Sequence, residues 1–137
     1  MNKKNYIKLA KKSASIQINE LNKINKVFNK SFIQAVDLIL NCKGKIITAG
    51  IGKSGLIARK ISATLSSVGT PSFFLSPDFN HGDLGQIEKK DILLIFSYSG
   101  NTAELTSLLK YANKTTSSRI GYQKQFRRLN KIILKTK

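Results

Sequence analysis

The stretch Lys45-Ile-Ile-Thr-Ala-Gly-Ile-Gly-Lys-Ser-Gly55 runs from apolar residues straight into glycines. The apolar run is too short for an ordinary helix and suits a buried strand, and Gly50, Gly52 and Gly55 then spell G-x-G-x-x-G, a turn that carries a strand into a helix. Downstream, Ile57, Ile61, Leu65 and Val68 recur at helical spacing, predict one inner helix face and stop at Gly69. Thr70-Pro71 then permits an extended Ser72-Phe-Phe-Leu75. A third apolar run, Asp91-Ile-Leu-Leu-Ile-Phe96, ends in the polar turn Ser97-Tyr-Ser-Gly-Asn-Thr102, after which Leu105, Leu108, Leu109 and Ala112 mark another helix face. Strands alternating with helices predict an α/β fold around a parallel sheet, here incomplete at about three strands. Ligands in such sheets bind beyond the carboxyl ends of the strands, and both polar turns lie there.

Working outward, residues 6–41 read as helix, with Ile24, Phe28, Phe32, Val36 and Ile39 at intervals of three or four. At the other end, Asn113 to Lys137 holds eight Lys or Arg residues, no acid and no clear period, and nothing in it resembles a further strand. The expected organisation is a helical lead-in at 1–42, a partial α/β domain at 43–112 and a basic tail at 113–137. An unfinished sheet leaves apolar edges exposed, which points to self-association as a homo-oligomer.

The chain has 137 residues and a formal net charge of +17. That balance suits anionic partners, but lysine supplies most of it, arginine is scarce, and the positives spread from Lys3 to Lys137 with no aromatic stacking motif, so nucleic acid is disfavoured as the partner. No run approaches the roughly 18 apolar residues of a membrane span, and the first residues lack the apolar core of a secretion signal. A cytoplasmic protein with no membrane partner is expected. Cys42 is the only cysteine and reads as a core thiol.

Four segments carry candidate chemistry. Gly52 and Ser54 flank Lys53 in the first turn, where missing side chains let backbone N–H groups approach an anion at a helix N-terminus. Asp78, twenty-three positions after Gly55, even permits a dinucleotide reading, whereas a Walker loop is excluded because Ile47 stands where its first glycine belongs. In the second turn, Ser97, Ser99, Gly100 and Thr102 put hydroxyls and amides at another helix N-terminus, a set suited to a phosphate dianion or simply to capping the helix. Lys53 either pairs with a phosphate or polarises an oxygen during proton transfer; His81, the only histidine, is an acid–base candidate or a structural loop residue; Glu104 is a carboxylate one turn into the last helix. No metal-ligand cluster surrounds them, and no cofactor is expected.

Taken in order, Gly50-Ile-Gly-Lys-Ser-Gly55, Gly69-Thr-Pro-Ser-Phe-Phe74, His81-Gly-Asp-Leu-Gly85 and Ser97-Tyr-Ser-Gly-Asn-Thr-Ala-Glu104 resemble the sugar isomerase (SIS) domain of the D-arabinose 5-phosphate isomerases over roughly residues 20–112. The resemblance implies a flavodoxin-like three-layer fold and interconversion of D-ribulose 5-phosphate and D-arabinose 5-phosphate, which feeds lipopolysaccharide biosynthesis. It implies phosphate binding by Ser97, Ser99 and Thr102 and active-site roles for Lys53, His81 and Glu104. Tyr98 and Asn101 depart from the family pattern, and the likeness stops near Asn113, as truncation or a frame shift would produce. A non-catalytic sugar-phosphate-binding remnant is therefore the alternative expectation.

Overall fold

The computed structural model describes residues 3–76, 81–97, 103–115, 118–122 and 132–134. Their chain order is α1 (Lys3–Asn22), a 3-10 turn (Lys23–Val27), α2 (Lys30–Leu40), β1 (Ile46–Gly50), α3 (Lys53–Ser67), β2 (Ser72–Leu75), α4 (His81–Leu84), β3 (Ile92–Phe96), α5 (Ala103–Thr115), β4 (Ser118–Tyr122) and β5 (Ile132–Leu134). The five strands form one sheet in the order β2-β1-β3-β4-β5, and every pair in it is parallel.

The parallel α/β fold expected from the pattern is present, and its three apolar runs are β1, β2 and β3. The sheet extends further than the sequence indicated. Ser118–Tyr122 pairs with β3 from Ile92↔Ser118 to Phe96↔Tyr122, and Ile132–Leu134 pairs with β4. Neither segment announces itself: Ser-Arg-Ile-Gly-Tyr mixes charge, glycine and hydroxyls and takes strand form through backbone pairing with β3, and Ile132-Ile-Leu134 is apolar but only three residues long.

The helical lead-in is interrupted rather than continuous. Asn29 takes an extended backbone conformation and its side-chain oxygen accepts from Ser31 N at 2.9 Å and Phe32 N at 3.3 Å, so α2 starts afresh with its own cap. Phe28 and Phe32 meet edge-to-face across that junction at 5.0 Å.

Two apolar clusters sandwich the sheet. On one face Ile47, Ala49, Leu93 and Ile95 pack with Leu84, Ile87 and the Leu105, Leu108, Leu109 and Ala112 face of α5, as its spacing predicted. On the other, Ile46, Ile92 and Leu94 pack with Ala35, Leu38 and Ile39 of α2 and with Ile61 and Leu65 of α3. The inner face of α3 is rotated from the expected one. Its buried residues are Gly55, Ala58 and Ser62, whereas Ile57 and Val68 are 54% and 71% exposed. The cause is proximity: a Cβ on Gly55 would sit 2.6 Å from Gly50 O, and one on Gly50 would meet the Ser54 backbone at 2.8 Å, so only small residues fit beneath the helix.

At the amino ends of the strands, Asp91 ties β1 to β3. Its Oδ1 accepts from Lys45 N at 2.9 Å, its Oδ2 accepts from Glu88 N at 2.8 Å, and Lys45 Nζ lies 2.8 Å from Oδ2. Gly44 passes against this carboxylate, where any side chain would collide with Oδ1. Burial alone would raise the Asp91 pKa, but the Lys45 ammonium and the two amides hold it below its ordinary value. For Lys45 burial works the other way, and Asp91 and Glu88 outweigh it, holding its pKa raised.

A depressed carboxylate contributes stability above its unfolded pKa and loses it as pH falls through the folded value; a raised lysine contributes below its unfolded pKa and loses it as pH rises through the folded value. Asp91→Ala should therefore cost about 3 kcal/mol at pH 7, read from the urea midpoint, and flatten the acid limb of stability below about pH 4. Gly55→Ala should cost about 2 kcal/mol by forcing α3 off β1, read by the same titration.

Candidate functional site

Because β1 and β3 run parallel in the register Gly50↔Phe96, the residues that follow them emerge side by side. Gly50 leads into Ile51-Gly52 and the start of α3 at Lys53, and Phe96 leads into Ser97. β2 ends at Leu75, paired with Ala49, and the chain returns as α4 from His81. Three strand-to-helix connections thus open on one edge of the sheet, and α3 and α5 begin there, with the positive ends of their dipoles on that side.

The glycine turn has a specific shape. Gly52 adopts φ 55° and ψ −126°, a backbone conformation that a side chain would strain, and it lets the chain reverse directly into α3. Ser54 N at 3.1 Å and Gly55 N at 3.3 Å both donate to Ile51 O, and Leu56 N donates to Gly52 O at 3.2 Å. Those three amides are engaged within the first turn of the helix. The turn therefore presents to solvent mainly the exposed Lys53 side chain and the helix end itself, with Ser54 half-buried beside it.

Ser97 is only 5% exposed, directly beyond the end of β3. His81 opens α4, whose first turn also carries Asp83, and Glu104 is the second residue of α5. Ser99, Gly100 and Thr102 lie outside the described residues, as does Asp78. The structure thus brings the Gly52–Ser54 turn, Ser97 and the starting points of α4 and α5 to one edge.

Thr48 was not singled out by any motif. It is fully buried and its hydroxyl donates to Ala58 O at 3.0 Å, and the only trace of it in the sequence is a hydroxyl residue inside an apolar strand. Among the described residues no group of three or more His, Cys, Asp or Glu side chains is arranged to hold a metal ion. No described helix is long and apolar enough to cross a membrane.

Comparison with known proteins agrees with this geometry. A probable arabinose 5-phosphate isomerase of Haemophilus influenzae is 46% identical over 106 residues, covering 77% of this chain and 32% of the relative. The arabinose 5-phosphate isomerase GutQ of Escherichia coli K12 is 44% identical over 95 residues, covering 69% of this chain and 30% of GutQ. The chain thus spans about a third of the length of the curated relatives it matches. Among solved structures, an E. coli CFT073 protein in complex with arabinose 5-phosphate superposes with a TM-score of 0.78 at 33% identity, covering 98% of this chain and 77% of that one. The family model of the SIS domain matches residues 39–121, which take in β1 to β3, the glycine turn and Ser97. A parallel sheet with these turns on its carboxyl edge and a family match over most of its length place this chain in the SIS domain family.

Proposed function

We propose that this chain binds a sugar phosphate at the carboxyl edge of its sheet and interconverts D-ribulose 5-phosphate and D-arabinose 5-phosphate in the cytoplasm. The observation that carries the reading is the Gly50↔Phe96 register, which sets the Lys53 turn beside buried Ser97 at the head of two helices. The names of the relatives, two arabinose 5-phosphate isomerases and a protein holding arabinose 5-phosphate, supply the substrate class.

The phosphate is assigned to the serine turn, with Ser97, Ser99, Gly100 and Thr102 donating, and to Gly52 and Ser54 opposite. Neutral donors with two helix dipoles suit a dianion. Isomerisation moves one proton between neighbouring carbons through an enediol while a hydroxyl proton passes to the former carbonyl oxygen, so no electron acceptor is required. Lys53 is assigned as the donor that steadies the charge developing on that oxygen, and Glu104 or His81 as the group that moves the carbon-bound proton.

Conversion of D-ribulose 5-phosphate by the purified chain should be measurable, and Lys53→Ala should lower it by about 100-fold or more. Ser97→Ala with Thr102→Ala should instead weaken arabinose 5-phosphate binding by roughly tenfold in calorimetry. Because the chain spans about a third of its curated relatives, the competing reading is binding without turnover; a folded sample that binds the sugar phosphate yet forms no product would select it.

The reading also takes the chain as a homo-oligomer. Helix α1 exposes Tyr6, Ile7, Leu9, Ile16, Ile18 and Leu21, each more than half exposed, so that apolar side chains along its length are available to a second copy of the chain. Sedimentation velocity should show species above the 15.2 kDa monomer, and a single monomeric species across the micromolar range would refute self-association.

A further inference from the structure

Helix α3 runs back along β1 and is attached to it at matched steps. Gly55 lies against Gly50, Ala58 against Thr48, and Ser62 reaches the level of Ile46, where Ser72 Oγ donates to Ile46 O at 2.7 Å and lies 3.1 Å from Ser62 Oγ. The first of these attachments is a close approach of backbone, which limits how near the helix comes but leaves it free to slide. The third is a bridge through a neighbouring strand. The Thr48 hydroxyl, 3.0 Å from Ala58 O, makes a direct side-chain hydrogen bond from β1 to α3, and a hydrogen bond is directional.

Packing does not account for that hydroxyl. Thr48 is 0% exposed on a strand that is otherwise apolar, and valine would fill the same volume without burying a polar group. What the hydroxyl adds is a constraint on where α3 stands. Ala58 lies six residues after Gly52, a lever of about 9 Å along the helix, so a tilt of about 6° there moves the turn by about 1 Å. Displacements of about that size at a reacting group cost up to ~100-fold in rate.

We infer that Thr48 is a positioning residue for the anion turn: by bonding Ala58 O it holds the amino end of α3, with Gly52 and Lys53, in place beyond β1. The inference rests on the sugar-phosphate reading of that turn for its functional consequence, and not for its structural one. Hydrogen exchange of the Ser54 and Gly55 amides, which donate to Ile51 O, reads the turn directly; the α5 amides serve as an internal reference.

The test compares Thr48→Val, which keeps shape and loses the hydroxyl, with Thr48→Ser, which keeps the hydroxyl and loses a methyl. In the full chain, Thr48→Val should speed exchange at Ser54 and Gly55 by about fivefold or more with α5 unchanged, and weaken arabinose 5-phosphate binding by a similar factor. Thr48→Ser should return both to within about twofold of the parent. The reverse order, with the serine variant damaged at the turn and the valine variant intact, would show a packing role and overturn the inference. If Thr48→Val fails to fold, Thr48→Ser decides by itself: a quiet turn supports positioning and a loosened turn overturns it. Should the parent bind no arabinose 5-phosphate, the functional reading falls while the exchange comparison still decides the role of Thr48.

Discussion

The structure depends on how closely α3 lies on β1. With Gly55 pressed against the carbonyl of Gly50, no side chain fits between them, and the consequences run along both elements. Ala58 and Ser62 become the inner face of the helix, Ile61 and Leu65 pack at its flank, and Leu56, Ile57 and Val68 are left outside. The same proximity makes the turn so short that Gly52 must take a positive φ, and this sets Lys53 at the head of the helix directly beyond the strand. The three glycines thus have two physical roles, close approach at the outer pair and backbone conformation at the middle one.

The two edges of the sheet are built differently. At the amino edge a buried carboxylate, Asp91, gathers Lys45 and two backbone amides and pins β1 to β3. Removing charge from water is costly unless it is paired and hydrogen-bonded, and Asp91 meets both conditions. At the carboxyl edge the described residues are of another kind: the glycine turn with exposed Lys53 and half-buried Ser54, buried Ser97, and the starts of α3, α4 and α5. A buried charge thus locks β1 to β3 at the amino edge, while the carboxyl edge carries the positive ends of the α3 and α5 dipoles.

The surplus of positive charge is not confined to one stretch of the sequence. It is carried mainly by lysine along the whole chain, and the described part of the carboxyl edge contributes Lys53 alone from the glycine turn. A general positive field raises the local concentration of any anion, including a small phosphate ester, without selecting one.

Much of this was legible in the order of residues. Short apolar runs ending in glycine and serine turns identified β1, β2 and β3 and the edge where the turns meet, because strand length, helical period and glycine punctuation are local properties. The α5 face was legible for the same reason, since Leu105, Leu108, Leu109 and Ala112 face a cluster with ordinary spacing. Local pattern could not show that α3 turns small residues inward, because that follows from the distance between two backbones. Nor could it reveal β4, a polar segment that becomes a strand by pairing with β3, or β5, an apolar run of only three residues within a basic stretch, or the break before α2, where the Asn29 cap outweighed a continuous apolar period. Thr48 was hidden for a related reason: one hydroxyl in an apolar strand gains meaning only when Ala58 O arrives opposite it. The residues alone determined β1, β2, β3 and α5 and the edge on which the turns lie; only the tertiary structure decided how near those elements stand and which further segments join them, because both are set by contacts between segments far apart in the chain.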